Sequence, residues 1–181
     1  PARRLSLLPF HLKRVYYTGF SPYPKADSRL PLSATPLMRE HRLYQADWLI
    51  RFYGFNASEI TGPEDPFLDL KVDPKTQWAR RHPEAFPVDI NAAPREAMLR
   101  VPGLGYRNVE RILRIRQYHR LALEDLRRLH ISIRSVAPWI VATDHLPARS
   151  PEPQPATVAE QLSLDLAFHQ QTTASTIHGQ L

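Results

Sequence analysis

The residues in this chain best suited to chemistry lie between Leu99 and Leu113. Pro102-Gly103-Leu104-Gly105 breaks what begins as a helix, and Tyr106-Arg107-Asn108-Val109-Glu110-Arg111 restarts one. Two glycines around one leucine let the backbone turn sharply with positive φ at little cost. The N–H groups that such a turn frees at Gly103, Leu104 and Gly105 lie at the start of the next helix, where the dipole favours an anion. Arg107, Arg111 and Arg114 follow at spacings of four and three, on one helical face. Backbone donors backed by guanidinium groups suit a phosphate backbone, and such contacts position a polyanion without reading its sequence. Asn108 adds a polar side chain in the same first turn. Tyr106 is an aromatic able to stack on a base.

Charge points the same way. The chain has 181 residues and a formal net charge of +6. From Pro147 onward one arginine, Arg149, faces Glu152, Glu160 and Asp165, so the tail is −2 and residues 1–146 carry +8. Residues 90–134 hold ten arginines (95, 100, 107, 111, 114, 116, 120, 127, 128 and 134) and four acids (96, 110, 124 and 125), a net of +6. That is the electrostatic footprint of a polyanion binder; the competing explanation is an arginine-rich solubilising surface.

Other chemistries find little support. With no cysteine, the chain can hold no disulfide, cysteine-bound zinc or iron–sulfur cluster. His11, His41, His82, His119, His130, His145, His169 and His178 show no metal-ligand spacing. Asp47, Asp69 and Asp73 form no recognisable acid/base pair. Arg39-Glu40-His41-Arg42 could face a substrate, with helix-capping charge as the simpler reading. Trp139 could stack on a base, but its place in the repeat described below predicts burial. No apolar run approaches the roughly 18 residues that span a membrane, and no signal peptide is visible.

The elements that must position the turn are short, because 18 prolines interrupt the chain. Residues 13–20 (KRVYYTGF) are rich in β-formers and predict a strand, and residues 21–36 an extended crossing. The strongest helical pattern before the turn covers 37–55, with Leu43, Ala46, Leu49, Ile50 and Tyr53 on one stripe and Gly54 as its stop. Asn56 or Ser58 caps a short turn through Ile60. Residues 67–73 alternate as in a half-buried strand or extended segment. Pro74 takes the first helical position for 75–81. Val88-Asp89-Ile90-Asn91 then leads into the helix before Pro102, with Asn91 or Ala93 ahead of Pro94.

A weak internal repeat follows at an offset of 27. Leu99, Leu104, Val109, Ile112 and Leu113 map to Leu126, Ile131, Val136, Trp139 and Ile140, while Gly103 and Gly105 map to His130 and Ser132. The second copy keeps the packing positions and loses both glycines, so it is expected to close the core and bind no phosphate. One such unit is too small to bury a core by itself. The predicted fold is therefore mainly α: a pair of hairpin units, the second degenerate, preceded by a long helix and one or two isolated strands. Four regions are expected: 1–36, a remnant of something upstream with an extended crossing; 37–87, a helical linker; 88–146, the paired hairpins; and 147–181, a disordered tail rich in Pro, Ser, Gln, Thr and Ala.

Leu99 to Leu113 resembles the helix-hairpin-helix motif of DNA-repair and recombination proteins, hydrophobic-Pro-Gly-hydrophobic-Gly followed three residues on by a small apolar residue. Val109 stands where that motif often has alanine. This resemblance implies non-sequence-specific DNA binding through Gly103, Leu104, Gly105, Tyr106, Arg107, Asn108 and Arg111, with a monovalent cation able to bridge hairpin carbonyls and phosphate. A longer resemblance covers roughly residues 12–141. SPYPKADSRLPLSATPLMREHRLYQADWLIRFYGF (21–55) and LDLKVDPKTQWARRHPEAFPVDINAAPREAMLRVPGLG (68–105) are similar to the C-terminal region of bacterial DNA modification/repair radical SAM proteins. By that likeness the chain is a fragment of a cytoplasmic enzyme whose barrel, S-adenosylmethionine and 4Fe-4S cluster lie upstream, and residues 13–20 are the barrel's closing strand. Lacking cysteine, the fragment itself cannot perform radical chemistry.

The tail contains QLSLDLAF (161–168), which resembles the bacterial sliding-clamp-binding hexapeptide at Gln161, Leu162, Ser163, Leu164 and Leu166. An extended peptide would seat its leucines in apolar pockets and use the glutamine for a directional hydrogen bond. The competing reading is a helical turn with a capping box at Thr157 and Glu160. Against DNA binding stands a protein-interaction module that packs on the missing barrel and recruits the clamp.

Overall fold

The computed structural model describes residues 15–23, 25, 27 and 29–147, and among these the chain is mainly helical, with two very short strands. The chain divides into a unit Pro1–Pro151 and a unit Glu152–Leu181. The whole second unit, all of the expected disordered tail beyond Pro147 and the clamp-like residues Gln161 to Leu166 lie outside the described residues.

The long helix forms where its pattern predicts, as α1 (Leu37–Phe52), and stops at Gly54 with φ +70°. Its most buried positions are Arg42, Ala46 and Leu49, one residue out of register with Leu43, which is only half-buried. The Arg42 side chain is fully enclosed and donates to Gln45 Oε1 (2.8 Å) and to the Leu70 carbonyl (3.2 Å). Next comes α2 (Ala57–Ile60), where Glu59 Oε2 accepts the Asn56 N–H at 2.7 Å. Then α3 (Pro74–Arg81) starts on proline as expected, with Asp73 Oδ1 accepting the N–H groups of Lys75 (3.1 Å) and Thr76 (3.0 Å).

Among the described residues, neither 13–20 nor 67–73, the latter expected as a strand or extended segment, contains a strand. Residues 15–20 have no regular secondary structure. Tyr17 is buried there, and its N–H and carbonyl both bond the Tyr44 hydroxyl (3.0 and 3.2 Å), so a helix side chain does the work of a neighbouring strand. Residues 67–73 alternate in sequence but are bent, because Asp69 Oδ1 turns back onto the N–H groups of Lys71 (2.6 Å) and Val72 (3.2 Å). The strands lie instead at β1 (Val88–Asp89) and β2 (Ile140–Val141), paired in parallel with Val88 opposite Ile140 and Asp89 opposite Val141.

These strands bracket two helix–turn–helix pairs: α4 (Arg95–Arg100) with α5 (Tyr106–Ile115), and α6 (Leu123–Arg128) with α7 (Ile133–Val136). The offset-27 repeat is visible in both packing and backbone. Leu99, Leu104, Val109 and Ile112 are buried, and so are Leu126, Ile131, Val136 and Trp139. Gly103 has φ +78° and its counterpart His130 has φ +58°. The Val109 N–H donates to the Gly105 carbonyl at 3.0 Å and the Val136 N–H to the Ser132 carbonyl at 3.2 Å. The copies diverge after that turn, since Pro138 puts the second copy into a 3-10 turn (Ala137–Trp139). Asn91 ties the entrances together: its amide donates to the Leu121 carbonyl (3.0 Å) and accepts the Leu121 N–H (2.7 Å).

One core cluster runs from Ala46 and Leu49 through Trp78 to Ala142, so the helices ahead of β1 and the paired units share it. Edge-on aromatic contacts Phe55–Trp78 (5.4 Å), Trp78–Phe86 (6.2 Å) and Phe86–Trp139 (5.0 Å) cross it. Trp139 is therefore an internal packing residue.

Of the two turn glycines, only Gly103 needs to be one. A Cβ there would sit 2.8 Å from Ser135 Cβ and 2.9 Å from Val136 Cγ1, and its φ is positive. Gly105 has φ −76° and would place a Cβ no nearer than 3.9 Å to Tyr53 Oη, a correction to the expectation of positive φ at both. Gly103→Ala should therefore lower stability by about 1–3 kcal/mol, and Gly105→Ala by less than about 1 kcal/mol. His130→Gly should raise it by a few tenths, roughly the left-handed strain less the extra chain entropy of glycine. Urea denaturation at constant m-value measures all three.

Candidate nucleic-acid interface

Once the repeat has turned the chain at Gly103, the start of α5 carries most of the residues that the sequence singled out. Gly103 and Tyr106 are exposed, Gly105 and Asn108 half-exposed, and Leu104 is buried in the core. One of the three candidate backbone donors, that of Leu104, is already engaged within the chain, and so is the N–H of Tyr106 that follows them. The Leu104 N–H closes the turn onto the Val101 carbonyl (3.2 Å), and the Tyr106 N–H donates to the Tyr53 hydroxyl (3.0 Å). The N–H groups of Gly103, Gly105, Arg107 and Asn108 meet no acceptor among the described residues.

The arginines separate into two sets. Arg95 pairs with Glu110 (2.6 Å) and lies over the Tyr106 ring (5.3 Å). Arg100 pairs with Glu59 (2.7 Å), donates to the Gly54 carbonyl (3.1 Å) and is packed against the Phe55 and Trp78 rings (3.9 and 4.8 Å). Partial burial works the other way, yet Arg100 and the Asn56 N–H hold the Glu59 carboxyl below its ordinary range. Arg116 donates to the carbonyls of Ile90 (3.2 Å) and Ala93 (2.6 Å), and Arg127 and Arg128 pair with Glu124. Arg95, Arg100 and Arg116 tie one element to another, whereas Arg127 and Arg128 pair with Glu124 of their own helix at the surface.

The second set faces water. Arg107, Arg111 and Arg114 are exposed along one face of α5. Arg107 and Arg114 make no ion pair or hydrogen bond among the described residues. Arg111 reaches the Leu129 carbonyl (3.1 Å) and, at 3.5 Å, Asn108 Oδ1, so it spans both pairs without losing its charge to an acid. Tyr118, missed by the sequence reading, continues this stripe into the turn after α5 and is 83% exposed. Its spacing from Arg107, Arg111 and Arg114 was the available signal. Arg120 and Arg134 are exposed as well. The Arg39–Arg42 segment, by contrast, is spent on packing: Glu40 accepts the Gly19 N–H (3.2 Å), Arg39 lies over Phe67 (5.7 Å) and Arg42 is buried.

A second residue that the sequence did not single out lies beneath the turn. Lys75, near the start of α3, is 7% exposed, and its Nζ donates to the Leu104 carbonyl at 2.6 Å while resting on the Tyr53 ring at 4.7 Å. One carbonyl that a bridging monovalent cation could use is thus engaged by an ammonium. Burial pushes the lysine pKa down to about 7; nearby Asp73 opposes the shift and Arg100 adds to it. Among the described residues no cluster of three His, Cys, Asp or Glu could hold a metal ion, and no helix is long and apolar enough to cross a membrane.

Between about pH 7 and 10.5 the unfolded chain keeps the Lys75 proton and the folded chain has lost it. Stability contributed by this side chain therefore rises with pH across that window, by up to about 1.4 kcal/mol per pH unit. Denaturation at pH 7 and pH 9.5 should show wild type gaining on Lys75→Met. Equal pH dependence in the two proteins would contradict a depressed lysine.

No family model, curated protein or solved structure matches this chain.

Proposed function

We propose that the chain binds DNA without sequence specificity, through the turn Gly103–Gly105 and the exposed face of α5, in the manner of a helix-hairpin-helix. The observation that carries this reading is the stripe Arg107, Arg111 and Arg114, solvent-facing and without an ion pair among the described residues, since the neighbouring Glu110 is held by Arg95, and it begins beside backbone N–H groups that meet no acceptor there. Guanidinium and backbone donors on one face match a run of phosphates, and Tyr106 and Tyr118 offer rings at either end. Gly105 needs neither unusual φ nor space inside the fold, so its missing side chain serves to keep the backbone bare. The likeness of residues 12–141 to radical SAM proteins of DNA modification or repair suggests that this binding anchors chemistry done elsewhere in a longer protein. The clamp-like Gln161–Leu166 peptide would add a second route to DNA.

A protein-interaction module is the second reading. It is favoured by the apolar side chains Tyr16, Tyr23, Leu32 and Leu37, which stand 60–92% exposed in and just after the segment before α1. It predicts negligible duplex affinity even at low salt, with a 161–168 peptide still binding clamp.

The measurement that decides is duplex affinity against salt. Wild type should weaken steeply as salt rises, and Arg107→Ala should flatten the slope of log K against log salt by about one unit. An unchanged slope would remove Arg107 from the interface and the hairpin reading with it.

A further inference from the structure

The peptide group between Leu104 and Gly105 joins the interior to the candidate interface. A planar trans peptide directs its C=O and N–H to opposite sides. Its carbonyl is held by Lys75 Nζ at 2.6 Å in the interior, so the Gly105 N–H is aimed away from the lysine, and it meets no acceptor among the described residues. Charge at one end of a hydrogen-bonded group polarises the other, and more so where water is excluded. The Lys75 ammonium also has no carboxylate within ion-pair distance among the described residues. A buried cation in that condition is costly, and the missing negative charge is what a phosphate outside the turn would supply.

We propose that Lys75 is the positioning cation of this turn: it holds the Leu104 carbonyl inward, presents the Gly105 N–H outward as a strengthened donor, and links polyanion affinity to its own protonation. The inference rests on the polyanion reading of the turn and names a regulator of that same site. The charged and titratable groups around Lys75 are few. Asp73 at the cap of α3 favours its charged form, Arg100 of α4 disfavours it, Glu59 of α2 is engaged on Arg100, and the Tyr53 phenol, its own pKa raised by burial, stays neutral. Loss of the proton leaves an amine that still donates to Leu104 but brings no charge, so affinity falls as pH rises through neutrality. By reciprocity, a bound polyanion keeps the proton on.

The test measures duplex DNA binding by fluorescence anisotropy at constant ionic strength and several pH values from 6.5 to 9, with wild type, Lys75→Met and Arg107→Ala. Wild type should lose about fivefold more affinity over this range than Lys75→Met. Arg107→Ala should bind more weakly throughout and keep the wild-type fall. All eight histidines are present in all three proteins, so their titration cancels in the comparison. The same fall in Lys75→Met as in wild type would overturn the role of Lys75 while leaving DNA binding intact; no duplex binding by wild type at low salt would overturn both. A measurement that needs no variant follows the Lys75 ¹³Cε shift against pH: its midpoint should rise on adding duplex, and an unmoved midpoint would overturn the proposal.

Discussion

Two short helix pairs can share one core only if their turns come within touching distance, and at Gly103 the backbone of the first lies directly on Ser135 and Val136 of the second. A methyl group at that point would meet both neighbours below 3.0 Å. The contact fixes more than a turn. It sets how closely α4–α5 sits on α6–α7, buries Leu104 and Val136 together with their repeat partners, and lets Arg111 reach across to the Leu129 carbonyl. Below this interface β1 and β2 join the two ends of the same stretch, two residues each, with Asn91 and Leu121 adding a side-chain rung. Remove the close approach and the exposed face of α5 has no fixed base.

A second constraint explains why several basic side chains turn back onto the fold, two of them, Arg42 and Lys75, buried. A chain with 18 prolines lacks many backbone donors, and its short helices end often, so carbonyls outnumber the N–H groups available to them. Buried or half-buried carbonyls must still be satisfied. Here long basic side chains do it: Arg42 at Leu70, Lys75 at Leu104, Arg81 at Glu59 and Ile60, Arg100 at Gly54, Arg116 at Ile90 and Ala93. Part of the net positive charge is therefore structural, and the +6 of residues 90–134 overstates the charge offered to a partner. What is offered is the smaller set on α5 and the turns around it.

That division was invisible in the sequence, whereas the fold's repeat was legible in it. Packing positions recur at a fixed offset because each unit must bury the same face, and burial preserves residue type; hence Leu99 with Leu126 and Val109 with Val136. The α1 and α3 helices were legible for a similar reason, through Gly54 and the Asp73-Pro74 start. The strands were not. Alternation at 67–73 looks like a strand until Asp69 bonds its own backbone, a local competition that pattern alone does not weigh. Val88–Asp89 and Ile140–Val141 are too short to leave a pattern, and only pairing across some fifty residues makes them strands. Lys75 carried no signal at all, because lysine is so rarely buried that its type argues for the surface.

The two kinds of cation are then less separate than their positions suggest. A carbonyl held from within by a charged donor turns the N–H of the same peptide outward, so an interior hydrogen bond and an exposed donor are two ends of one group. At most of the other carbonyls held in this way the N–H of the same peptide is already used, by Asp69 for Lys71, by Asp89 for Asn91, and by the carbonyls of Leu49 and Ala57 for Phe55 and Thr61, while Pro94 has none. At Leu104–Gly105 it emerges beside the first turn of α5, next to Arg107, at a residue whose lack of a side chain the fold itself does not require. On the proposed polyanion binding, the structural use of a cation and its electrostatic use toward an anion would coincide at that peptide. A lysine 29 residues away in sequence, enclosed by the core, would then act together with the arginines of α5.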